Sequence, residues 1–154
     1  MKSIYTTIVE LESLRHDKRV IQDRERQIAV PIWTDLDRMG ELYSRFLEVR
    51  PPGLRLNGRN VFILIATRVF SPKSLAGHNL GAGVRDRMAT VLGVKPTVIS
   101  HAFDNLVFHY KRYRGFRSEV DGVFEELLQK INVLHNFWPM HFRTKRHIKN
   151  IWHC

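Results

Sequence analysis

The sequence predicts a mainly α, multi-helix domain, preceded by either a short β-hairpin or an extra helix. Three observations support this. Apolar residues recur at helical spacing in successive segments of the chain. Pro or Gly closes most of those segments. No internal repeat or low-complexity tract interrupts the pattern.

The N-terminal 33 residues read two ways. SIYTTIVEL is rich in β-branched residues and fits a strand, whereas Ile4, Ile8 and Leu11 share a helical face. RQIAVPIW is also strand-like, with Pro31 restricting it to an edge. Between them lies the highly charged RHDKRVIQDRER. From Thr34 the helical reading is plain. Thr34 with Asp37 makes a start like a capping box, and Leu36, Met39, Leu42, Tyr43, Phe46 and Leu47 follow at helical spacing. Arg50-Pro51-Pro52-Gly53 ends that helix, because Pro disfavours helical geometry in the residue before it.

A second helix is predicted over 60–70, stopping at Ser71-Pro72. Its run VFILIA is apolar nearly all round and so belongs at the centre of the core. The turn-rich SPKSLAGHNLGAG has glycines at 77, 81 and 83. It lacks the Gly-Lys-Ser/Thr ending through which a phosphate loop reaches phosphate and metal, so it reads as a connector. Beyond Pro96 a helix runs through AFDNLVFHYKRY until Gly115 breaks it. Ser118 with Asp121 marks a new start, after which Val123, Phe124, Leu127, Leu128, Ile131 and Leu134 build an amphipathic helix.

The chain has 154 residues, 44% of them apolar, enough for one domain with its own core. No apolar run is long enough to span a bilayer, and the N-terminus carries no secretory signal. The single cysteine, Cys154, allows no disulfide within the chain and points to a reducing, cytoplasmic setting. The net charge is +10, and it is unevenly spread. Residues 1–50 hold nine Lys/Arg and nine Asp/Glu, a net of zero. Residues 51–154 hold sixteen against six, so all the excess lies there. Such a concentrated basic excess is the footprint of a polyanion binder. Three segments follow: 1–50, charge-neutral and suited to dimerisation; 51–135, the core domain; and 136–154, a basic, aromatic tail packed on it.

The most informative stretch is RDRMATVLGVKPTVISHAF, residues 85–103. Met88, Ala89 and Leu92 form the inner face of a short helix, and Ala89 is small where a second helix must pass. Gly93 suits a left-handed cap, which strains a residue with a β-carbon by about 1 kcal/mol or more. Pro96 suits the first turn of the next helix, since its missing N–H would have had no partner there. Val94, Val98, Ile99, Ala102 and Phe103 turn inward. Ala89, Gly93 and Ile99 at this spacing resemble the helix-turn-helix of phage Cro and repressor proteins and of sigma-factor region 4. Met88, Leu92, Val94 and Ala102 match the apolar positions around that spine. The resemblance covers about 20 residues, 85–104.

The resemblance implies that the second helix enters the major groove of duplex DNA, with the outward residues near its N-terminus reaching base edges. Here these are Lys95, Thr97, Ser100, His101 and Asp104. Lys95 would donate to guanine acceptors, and Thr97 or Ser100 to several bases. None of the five is Arg, Asn or Gln, so bidentate base readout is less obvious than base contact itself. Arg85 and Arg87 occupy the start of the first helix, a place such motifs set against phosphate. HYKRYRGFR adds Lys111, Arg112, Arg114 and Arg117 as phosphate contacts, interleaved with Tyr110, Tyr113 and Phe116.

Other chemistries find no support. His135, His141, His147 and His153 recur every six residues, which spirals around a helix and lacks the paired spacing of a zinc site. Asp121, Glu125 and Glu126 cluster, but acids are expected in a helix's first turn for dipole reasons. No nucleophile elbow, HExxH motif or Ser-His-Asp set is present. The sequence therefore predicts a non-enzymatic protein with no catalytic residue, metal or cofactor. Its partner is duplex DNA, its role that of a regulator or accessory factor of a genetic element, and its state a homodimer with no membrane association. Competing readings are RNA binding through HYKRYRGFR and FRTKRHIKN, and a protein-interaction module in which the helix pair is only structural.

Overall fold

In the computed structural model, residues 2–51 and 58–134 are described. They form six α-helices and two short 3₁₀ turns, with no strand among them. The expectation of a mainly α, multi-helix domain therefore holds. Of the two N-terminal alternatives, the β-hairpin is corrected to a helix. α1 (Ile4–Ile28) runs for 25 residues through the first strand-like stretch and into the start of the second, and 29–35 follow outside any helix. The Ser3 hydroxyl caps it by accepting from the Thr6 amide at 3.1 Å. β-Branched residues favour strands by packing on a sheet, and the described residues form no sheet for them to join.

The chain after α1 is pinned by the far end of another helix. α3 (Gly58–Phe70) ends with an unpaired carbonyl at Val69, and the amides of Ile32 and Trp33 donate to it at 2.8 and 3.2 Å. Trp33 is thereby buried edge-on against Phe70, with the Arg38 guanidinium 3.6 Å above its ring. The start expected at Thr34 lies one residue later. Asp35 accepts from the Asp37 amide at 2.9 Å and opens a 3₁₀ turn, Leu36–Arg38, that runs into α2 (Met39–Val49).

α3 is the core's centre, as VFILIA suggests. Every residue from Val61 to Thr67 is buried, and the Thr67 hydroxyl is satisfied by the Ile63 carbonyl at 2.7 Å. α2, α4 (Ala82–Leu92), α5 (Pro96–Arg112) and α6 (Arg114–Leu134) all pack on it. Tyr43 and Phe46 of α2 meet Phe62 of α3 with ring centroids 4.9 and 5.4 Å apart. α2 also packs on α6, where Lys130 reaches Glu48 at 3.5 Å. Arg45, with help from Lys130, holds the Glu48 carboxyl below the usual range. The neutral segment 1–50 thus divides: α1 stands on the surface, whereas α2 belongs to the core.

The break between α5 and α6 falls at Tyr113, not at Gly115. Tyr113 is extended, with φ −103° and ψ 109°, and Gly115 lies within the first turn of α6. Arg117 sits one turn further on and donates from Nε to the Tyr110 carbonyl at 3.1 Å and from Nη2 to the Lys111 carbonyl. These are end-of-helix carbonyls that would otherwise lack partners, so the elbow forms where Arg117 can reach them. Ser118 and Asp121 are consequently interior to α6. Asp121 accepts the Tyr110 hydroxyl at 2.5 Å, which ties α5 to α6.

Candidate nucleic-acid interface

The turn between α4 and α5 is built from its two closing residues. Gly93 has φ 67° and ψ 32°, the left-handed geometry that favours glycine. Its amide reaches the Thr90 carbonyl at 3.3 Å, and the next amide, of Val94, reaches Ala89 at 3.0 Å. This paired closure satisfies two carbonyls at the end of α4. Val94 packs back on the core, as such a closure requires. Lys95 is extended, and Pro96 opens α5. Met88 and Ala89 of α4 and Ile99 and Phe103 of α5 are buried. The inner faces therefore fix how α5 presents its outer one.

On that outer face Thr97, Ser100, His101 and Asp104 are all exposed, with exposed Lys95 at its head. Thr97, His101, Asp104 and Phe108 are three or four residues apart and form one row along the helix. From Thr97 to Asp104 the row rises about 10 Å at 1.5 Å per residue. Lys95, Thr97, His101 and Asp104 make no side-chain hydrogen bond or ion pair with another described residue, whereas Ser100 bonds back to the Pro96 carbonyl at 3.4 Å. The positive end of the α5 dipole lies beside Lys95 and reinforces its charge.

The six expected phosphate contacts divide. Lys111, Arg112 and Arg114 are exposed around the end of α5, the Arg112 guanidinium 6.0 Å above the Phe108 ring. Arg117 is also exposed but is spent on the α5–α6 elbow. Arg85 is half-buried, with its Nε 3.1 Å from Asp86. Arg87 is exposed and forms an ion pair with Asp37 in the 3₁₀ turn before α2. Over residues 85–117 seven Lys/Arg face two Asp/Glu, a local net of +5.

Two features of the site were not legible beforehand. A groove of about 620 Å³ runs between the 74–80 turn and α5, with Arg85 and Lys111 on its walls and Ser100 and Asp104 along α5. Only the packing of a connector against a helix reveals it, although Leu75 and Leu80 inside that connector were a signal that it folds back. The second is the Tyr110–Asp121 bond. Burial of the ring, with Asp121 beside it, pushes the Tyr110 hydroxyl up to about 12. Tyr110 therefore braces α5 against α6.

Among the described residues no three His, Cys, Asp or Glu side chains converge as a metal site would need. No helix there is long and apolar enough to cross a membrane. The tail 136–154, with His141, His147 and His153, and His135 before it, lie outside the described residues. No family model, curated protein or solved structure matches this chain.

Proposed function

We propose that this protein binds duplex DNA in the cytoplasm, with α4 and α5 acting as a helix-turn-helix and the Lys95 end of α5 in the major groove. The observation that carries the reading is the row of Lys95, Thr97, His101 and Asp104. It is exposed, free of partners among the described residues, and held by a helix pair whose inner faces are buried. Such a row has unused donors and acceptors ready for base edges. The net +5 around it supplies counterion release, which gives affinity at any sequence. With one Lys and no Arg, Asn or Gln, the row discriminates bases weakly for a single copy. Two copies reading paired half-sites would compensate, as regulators of this class do. The role is that of a transcriptional regulator or an accessory factor of a genetic element, binding without a reaction of its own.

A second reading has one specific observation behind it. Phe108 and Tyr113 are 53% and 52% exposed, and His109 lies 5.4 Å from the Tyr113 ring beside Arg112. Exposed rings next to cations can stack unpaired bases, as single-stranded RNA offers. Competition at equal salt separates the two. Labelled duplex DNA should stay bound against an equal mass of single-stranded RNA. Displacement of the duplex by RNA would overturn the DNA reading in favour of the second.

A further inference from the structure

We infer that α1 is a self-association element, pairing antiparallel with α1 of a second copy of this chain. This narrows the pairing of copies named above to one helix, and the argument for it does not use the DNA reading.

The first observation is exposure. No residue of α1 is buried. Ile4, Leu11, Leu14, Ile21 and Ile28 are 51–83% exposed. Their spacing of seven, three, seven and seven residues places them on the seam of a heptad helix. α1 covers about three and a half heptads, near the length at which such a seam holds two helices together. A lone helix without tertiary packing is marginal in water, and five large apolar side chains along one seam, interrupted only at Thr7, Lys18 and Glu25, are more than a solitary soluble chain ordinarily leaves open. Glu25 is tied to the body by His78 at 2.7 Å, while Ile21 and Ile28 on either side of it stay 66% and 68% exposed.

The second observation is charge, and it selects the occupant. Residues 4–14 hold two acids and no Lys or Arg, a net of −2. Residues 15–28 hold five Lys/Arg and three acids, a net of +2. α1 as a whole is neutral. A helix built for an anionic membrane carries a basic polar face, and one built for DNA an excess of cations; α1 has neither. It is complementary to itself reversed. Lys2 holds Glu10 at 2.7 Å in the single chain, which leaves Glu12 and part of the N-terminal negative charge available.

The seam residues agree on direction. In a parallel pair Lys18 would face the partner's Lys18 and Glu25 the partner's Glu25, two like-charge layers. Full antiparallel overlap sets Ile4 opposite the partner's Ile28 and Leu11 opposite the partner's Ile21. Leu14 then packs on the stem of the partner's Lys18, and Glu10 comes beside the partner's Arg24, which competes with Lys2 for it. The two bodies stand at opposite ends of a rod about 37 Å long. If the DNA reading holds, that length is comparable with the roughly 34–36 Å between half-sites one helical turn apart.

Sedimentation equilibrium of the full chain, without nucleic acid, tests the inference. The wild type should be a dimer at micromolar concentration. Leu11→Glu with Ile21→Glu should be monomeric, its self-association weakened by roughly 100-fold or more from the burial lost at four apolar positions. Both residues are exposed, so the thermal transition of the body should not move. Direction is read in a Cys154→Ser background. A Glu10→Cys chain mixed with an Arg24→Cys chain should form a disulfide that neither forms alone. A monomeric wild type, a variant that keeps the dimer mass, or cross-linking by the Glu10→Cys chain alone would each overturn the inference. So would a monomer whose α1 carries it onto phosphatidylcholine–phosphatidylglycerol vesicles. A monomer that binds duplex would sink the pairing alone, and a dimer that ignores duplex would sink the DNA reading alone.

Discussion

Replacing Gly93 and Gly122 by Ala should move stability in opposite directions. At both positions an added β-carbon meets nothing within 4 Å, so neither change is decided by crowding. What differs is the backbone. Gly93 sits at φ 67° and ψ 32°, where a residue with a β-carbon is disfavoured by about 1–2 kcal/mol. Ala also restricts the unfolded chain, which returns about 0.4–1 kcal/mol. The net expectation is a loss of about 1 kcal/mol. Gly122 lies mid-way along α6 at ordinary helical geometry, and Ala there should gain about 0.8–1 kcal/mol. For a chain of this size each kcal/mol moves the melting temperature by about 2–4 °C. Thermal unfolding followed by circular dichroism should show Gly93→Ala melting lower than wild type and Gly122→Ala higher. Shifts of the same sign would refute the reasoning, and a neutral Gly93→Ala would mean that the α4–α5 turn does not close through a left-handed residue.

Three further outcomes are expected. Asp37→Asn releases Arg87 from its ion pair, an exposed bridge worth at most about 1 kcal/mol to the fold. If Arg87 then reaches phosphate, duplex affinity rises and the log–log salt slope steepens by about 1, measured by fluorescence anisotropy across a salt series. Ile99→Ala empties a fully buried position between α5 and the core and should destabilise by about 2–5 kcal/mol in urea unfolding. The third concerns Tyr110, whose folded-state hydroxyl titrates near 12 against an ordinary 10.0. A raised value favours the protonated folded form, so its stabilisation is whole below about 10 and fades as pH rises toward about 12. Tyr110→Phe should be less stable than wild type at neutral pH, with a gap that closes over that alkaline window.

The helices of the body were legible because their inner faces are continuous. Leu42 with Phe46, Ile65 with Val69, and Leu127 with Ile131 all recur at helical spacing and all end buried. The α4–α5 turn was legible because Gly93 and Pro96 each meet a backbone demand that few other residues meet. α1 was ambiguous for a physical reason: none of its side chains is buried in this chain, and Thr7, Lys18 and Glu25 interrupt the apolar seam that would have marked it as a helix. Gly115 misled because a glycine marks a helix end only when its geometry is used, and the break was set instead by Arg117 reaching back to two carbonyls. Of the candidate site, the exposed row on α5 could be read from sequence. The engagement of Arg87 could not, since Asp37 lies 50 residues away and meets it only through the packing of α2 on α4.

Binding of Lys95→Ala with His101→Ala to duplex DNA, in parallel with Lys130→Ala, tests the central claim most directly. Lys95 and His101 lie on the exposed row, whereas Lys130 pairs with Glu48 on the α2–α6 side. The double variant should lose about 30-fold or more in duplex affinity, at about 1–3 kcal/mol for each of two base contacts, and flatten whatever sequence preference the wild type has. Lys130→Ala should bind almost as the wild type does. Equal affinities for all three proteins would contradict the account, because α5 would then not be in the groove.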